Sequence, residues 1–196
     1  MPVEIINLQR KFPIDHFCFG KIAELGLSSL KQSKNQVVLI FVNDHRMRHL
    51  NKTFRGKRKT TDVLSFSYQK ERFLKGLGSP DGEVVISLQQ AKRQADRAGI
   101  PFFDEIVNLI IHGLCHLKGY DHEIGEQEAS LMKKVERKTA RFIDQGYHQW
   151  LNTQPKNLSN TMLQESSPSF QGKIPDDFLQ PTKKSLKTNK GKEHSS

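Results

Sequence analysis

Cysteine is almost missing from this chain. The two present in 196 residues, Cys18 and Cys115, are too few and too far apart to form a disulfide framework, which fits a reducing compartment such as the cytoplasm. No run of about 18 apolar residues occurs, so a helical membrane span is excluded. Met1–Ile6 reads as neither a signal peptide nor an Arg/Ser-rich transit sequence. Hydrophobic residues are also scarce, at 35%, which is lean for a chain packed along its whole length. The shortage lies at one end. Up to Trp150 apolar residues recur periodically, whereas from Leu151 onward Asn, Ser, Thr, Gln, Pro and Lys dominate. Residues 1–150 are therefore expected to form one domain and 151–196 a disordered tail. Acidic residues are the third shortage: 21 stand against 31 Lys and Arg, for a net charge of +10. The tail holds seven lysines and four acidic residues, so both parts are basic. A polyanionic partner is favoured, and nucleic acid is the default.

What is present falls into short periodic segments. Val3–Ile6 alternates as a strand, and Pro13 at a first-turn position opens a helix through about Ser29. The β-branched run within Gln36–Asn43 suits a strand buried on both faces. Asp44 is expected to cap a helix reaching about Thr53. Thr61–Ser67 and Glu83–Ser87 read as strands separated by the Gly/Pro loop 75–82. Ser87 caps a helix ending at Gly99, and Pro101 opens another on which Ile106, Val107, Ile110, Ile111 and Leu114 recur at helical spacing. A last amphipathic helix, about Gly125 to Gln145, should turn Leu131, Met132, Val135, Phe142 and Ile143 inward. The sum is an α+β domain with a mixed sheet of about four strands and about five helices.

The most informative segment is His112-Gly113-Leu114-Cys115-His116-Leu117-Lys118-Gly119-Tyr120-Asp121-His122. His112 and His116 are spaced i, i+4, so both imidazoles leave one face of the Pro101 helix and can share an ion. Gly119 stands where that helix must stop and turn the chain back, bringing His122 in as third ligand. Three protein ligands leave a position open for water, the arrangement of catalytic zinc. A metallopeptidase with this spacing carries its general-base Glu directly after the first histidine; here that residue is Gly113, so water activation falls to the metal and peptide cleavage is disfavoured. Cys115 between the ligands is read as core packing. A second i, i+4 pair, His45 and His49, has Arg neighbours and no third ligand, and reads as a solvated helix face. Asp121 can serve as acceptor for a ligand imidazole or as a turn residue, and Tyr120 as turn packing.

Three blocks together, the histidine segment, Leu50-Asn51-Lys52-Thr53-Phe54-Arg55-Gly56-Lys57-Arg58-Lys59-Thr60-Thr61-Asp62-Val63-Leu64-Ser65-Phe66 and Gly82-Glu83-Val84-Val85-Ile86-Ser87, closely resemble the YbeY family of single-strand endoribonucleases and rRNA maturation factors. The resemblance spans about residues 3–150. It implies one zinc ion on His112, His116 and His122, an essential arginine at Arg55, and activity in maturing the 3′ end of small-subunit rRNA and in ribosome quality control. It also implies the small ribosomal subunit as partner, with a ribosomal protein or an Era-type GTPase as further contacts. Thr60 and Ser67 stand where the family usually carries proline, and Glu83 where it carries aspartate.

On this reading Arg55 binds the phosphate in bidentate geometry, and Lys57, Arg58 and Lys59 follow the flanking RNA backbone. Attack by water and attack by the RNA 2′-hydroxyl are both compatible with the residues. Imidazole ligands suit zinc and also accept nickel, copper or iron. The competing expectation is a non-catalytic ribosome-assembly factor in which zinc staples the helix end and the basic surface binds rRNA.

Overall fold

Val37–Val42, the β-branched run, lies between two other strands and is almost wholly buried, as a strand apolar at successive positions must be. The computed structural model describes residues 3–68 and 80–154. Among them four strands and five helices follow in the order β1 (Val3–Asn7), α1 (His16–Ser29), β2 (Val37–Val42), α2 (Asp44–Arg55), β3 (Val63–Ser67), β4 (Gly82–Ser87), α3 (Leu88–Ala98), α4 (Phe102–Leu117) and α5 (Glu126–Leu151). The sheet order is β1-β2-β4-β3. β1 with β2 and β2 with β4 are parallel, and β3 with β4 is antiparallel. The expected mixed α+β sheet is present. Residues 75–79 of the Gly/Pro loop, and 155–196 of the expected tail, lie outside the described residues.

The two sheet faces do different work. Val37, Leu39, Phe41, Val63, Val84 and Ile86 join the larger core with α1, α4 and α5. Val42, Leu64 and Val85 face the other way and form a smaller core with Met47 of α2. The larger core fixes α4 firmly: Ile110 and Leu114 are fully buried, and burial of each such side chain is worth about 1.5–3 kcal/mol. α4 thus enters the site as a rigid support.

Several boundaries differ from the sequence expectation. α1 starts at His16, because Asp15, accepting the Cys18 N–H at 2.9 Å, caps it and Pro13 lies outside. Asn43 caps α2 by accepting the Arg46 N–H at 2.9 Å. Asp44 is thereby left free to pair with Arg93 at 2.8 Å and to accept the Ser87 hydroxyl. α5 runs on to Leu151, since Tyr147 and Trp150 pack against α1: the Tyr147 hydroxyl meets Cys18 Sγ at 2.8 Å, and Trp150 lies 5.1 Å from the Phe17 ring. Leu131 and Phe142 are not inward but 50% and 44% exposed. The buried face of α5 is set by Met132, Thr139, Ala140, Ile143 and Tyr147, and residues one position away from that stripe are rotated about 100° off it.

Candidate metal centre

His112 and His116 stand on the last turns of α4, which ends at Leu117. The chain then reverses at Gly119, whose φ is +97°, a conformation that side chains other than glycine adopt at a cost. The Gly119 N–H bonds to His116 O at 2.9 Å, and the Tyr120 N–H reaches back to Cys115 O at 3.1 Å, which closes the helix end. Asp121 Oδ1 accepts the Glu123 N–H at 2.8 Å, so Asp121 acts as a turn residue that holds the loop carrying His122. Tyr120 packs against the larger core, as expected of turn packing.

The outcome is convergence. One ligand atom from each of His112, His116 and His122 lies within 4.8 Å of the others, and the ring centroids are 4.7, 5.1 and 5.2 Å apart. The His112 and His116 Nε2 atoms face each other at 3.1 Å. Two nitrogens at adjacent corners of a tetrahedral zinc site with bonds of about 2.0–2.1 Å stand about 3.3 Å apart. The donor set fits such an ion. Burial, and after it the nearby His112 and His122, holds the His116 pKa below its ordinary value, so His116 keeps a free lone pair at neutral pH. His112 is oriented from α5: its Nδ1 stands 2.7 Å from Glu136 Oε1, which assigns the proton to Nδ1 and leaves Nε2 for a metal.

Glu136 was not legible as a site residue from the motif alone. Its signal was faint but present: it is the one acid in Lys133–Lys138 and shares a helix face with Met132 and Ala140. Cys115 is outside the donor set. It is buried, and burial pushes its thiol up to about 12.

Gly113 explains itself sterically. α4 crosses β4 there so closely that a Cβ would collide with Val84 Cγ1 and stand 3.2 Å from Ser65 Oγ; Ser65 Oγ already donates to Gly113 O. Position 113 faces the sheet, and no general base fits at that point.

Arg55 is the last residue of α2, which Gly56 ends in the left-handed conformation. Its guanidinium Nη2 meets both carboxylate oxygens of Glu123, at 2.8 and 3.0 Å. Arg55 in turn holds the Glu123 carboxyl below the usual range. Glu123 follows His122, so the arginine is anchored one residue from the imidazole cluster. Lys57 adds to the field on Glu123. Arg58 and Lys59 are exposed, and no side-chain bond ties them to the histidines among the described residues. The loop that carries them is pinned by the buried Asn51, whose Nδ2 donates to Lys59 O at 2.7 Å. His45 and His49 are exposed on α2 and stand outside the cluster.

A cleft of about 680 Å³ opens beside the histidines, walled by Asp62, Gln94, Glu105, Asn108 and, from α5, Lys133 and Arg137. Glu105 is buried, and burial first, with Asp62 adding, pushes its carboxyl up to about 7 against the opposing hydrogen bond from Asn108.

Fold and site together define an α+β protein with an open three-imidazole centre at the end of a buried helix and a guanidinium beside it. A family model described as Endoribonuclease YbeY matches residues 4–144. A Geobacter sulfurreducens endoribonuclease YbeY is 36% identical over 149 residues, covering 74% of this chain and 98% of the relative. One from Pelotomaculum thermopropionicum is 40% identical over 143 residues, covering 69% and 93%. The solution structure of a Thermotoga maritima protein aligns with a TM-score of 0.51 at 22% identity, covering 81% of this chain and 95% of that one; it supports the fold. The chain belongs to the endoribonuclease YbeY family.

Proposed function

We propose that the protein is a metal-dependent endoribonuclease that cuts single-stranded RNA, with one zinc ion on His112, His116 and His122 and with Arg55 as the phosphate-binding cation. The observation that carries this reading is the 2.8 Å pairing of Arg55 with Glu123, which sets a guanidinium beside a three-imidazole donor set. When bound, the ion would supply Lewis acidity and lower the pKa of a water. The remaining work belongs to the chain. Glu136 holds the His112 tautomer, and Asp121 and Gly119 hold the loop that presents His122. Arg55, released from Glu123, pairs with the non-bridging oxygens of a phosphodiester as charge builds there. Lys57, Arg58 and Lys59 follow the backbone on either side, with affinity that falls as salt rises.

RNA as substrate is supported by kinship, since the relatives are named endoribonucleases, and by the net charge of +10. The same proposal extends to maturation of the 3′ end of small-subunit rRNA and to ribosome quality control in the cytoplasm. The small ribosomal subunit, with a ribosomal protein or an Era-type GTPase, would be the partner. The test is the fate of a labelled single-stranded RNA with wild type, Arg55→Ala and His116→Ala, each checked for folding by its melting curve. Wild type should cleave, and each variant should lose about 10²–10³-fold in rate while staying folded. A wild type that binds RNA without cutting it supports the assembly-factor alternative. Cleavage that survives in both variants points to a contaminating nuclease. The product ends distinguish attack by water from attack by the 2′-hydroxyl, which leaves a cyclic phosphate.

A further inference from the structure

The exposed side of α5 holds a concentration of charge that the metal centre does not use. Lys134, Lys138 and Arg141 are exposed and spaced i, i+4, i+7, so they form one stripe about 10 Å long at ~1.5 Å of rise per residue. None of the three has an ion-pair partner among the described residues. Unpaired like charges four apart cost a helix stability. Phe142 stands among them, 44% exposed, and lines with them and Arg137 a depression of about 420 Å³. Arg137 also lines the metal cleft. The stripe is therefore continuous with the site through one shared side chain.

Helical phase alone exposes both the cations and the phenyl ring, but it does not account for the depression they line together or for its continuity with the cleft. Cations that track a backbone and an aromatic ring that takes a base form the combination by which single strands are held. We infer that Lys134, Lys138, Arg141 and Phe142 form a second RNA subsite. It receives the single strand as it leaves the metal cleft past Arg137, phosphates on the three cations and one base against the ring. The inference rests on the endoribonuclease reading only for the place where the strand begins.

The test is anisotropy of labelled single-stranded RNA across a salt series, with the full chain in the His116→Ala background to remove turnover. The variants are the triple Lys134→Gln, Lys138→Gln, Arg141→Gln and the single Phe142→Ala. With RNA of about 16 nucleotides the triple variant should flatten the slope of log affinity against log salt by about 2, and Phe142→Ala should weaken binding by at least about fivefold with the slope unchanged. RNA of about 4 nucleotides, short enough for the cleft alone, should show smaller losses in both. An unchanged slope in the triple variant overturns the subsite. A reduced slope with a silent Phe142→Ala overturns the single-strand assignment and leaves a plain electrostatic face. Failure of the endoribonuclease reading would appear separately, as RNA that wild type leaves uncut while these binding changes persist.

Discussion

Glu136 and Gly113 shape the histidine cluster without belonging to it, one by holding His112 and the other by closing the space beside it. Glu136→Gln keeps the shape but replaces the anionic acceptor of the 2.7 Å bond to His112. Metal affinity should fall about 10–100-fold, read by competition with a chromophoric chelator, while the melting curve of the metal-free protein changes little. An unchanged affinity would mean that His112 needs no partner. Gly113→Ala tests the opposite constraint. Its methyl collides with Val84, so the variant should lose about 1–3 kcal/mol in denaturant unfolding. Stability equal to wild type would show that α4 can rise off the sheet. Together these residues set the cluster apart from a peptidase's: the carboxylate stands on α5 behind the His112 imidazole, and position 113 is closed by packing.

At the scale of elements, α4 was legible because its apolar residues recur at helical spacing and its stop is a glycine with φ of +97°. The histidine cluster was legible for the same reason, since spacing on a helix fixes the direction of His112 and His116 and the glycine stop returns His122 to them. The partners from other elements were not. Glu136 and Glu123 act across 24 and 68 residues of sequence, and local periodicity holds no record of which elements meet. The misplaced Leu131 and Phe142 have the same origin: hydrophobicity alone suggested an inward phase, whereas contact with α1 set it. Element packing also predicts a pH response. Glu105 on α4 is raised from 4.5 to about 7, so the folded state holds its proton in that window while the unfolded chain releases it. The stability that Glu105 contributes should therefore fall as pH rises from about 4.5 to about 7, against the opposite trend contributed by the lowered His116. Glu105→Gln should flatten that part of the profile in chemical denaturation; a profile of the same slope would mean that Glu105 titrates as if exposed.

For the molecule as a whole, an ion on His112, His116 and His122 would join the end of α4 to the loop that holds Glu123 and, through it, Arg55 at the end of α2. Anything that binds only the folded state stabilises it, by about 4 kcal/mol at a thousandfold excess over Kd. Chelation should therefore lower the melting temperature, and re-addition of zinc should restore it. In His116→Ala both responses should shrink. A chelator-insensitive melting curve would separate the histidine cluster from metal altogether. The α5 stripe adds a large-scale consequence, because Arg137 lines both its depression and the cleft, so RNA held on the stripe would lead into the cleft that His112 and His122 line.

The most direct measurement is the rate at which tag-free protein cleaves a labelled single-stranded RNA before metal stripping, after stripping, and after return of one equivalent of zinc, with folding followed alongside. Cleavage should vanish on stripping and return with the metal, and Arg55→Ala should stay inactive even when reloaded. Undiminished cleavage by folded, metal-free protein, or full activity in reloaded Arg55→Ala, would contradict a centre built from three imidazoles and one guanidinium.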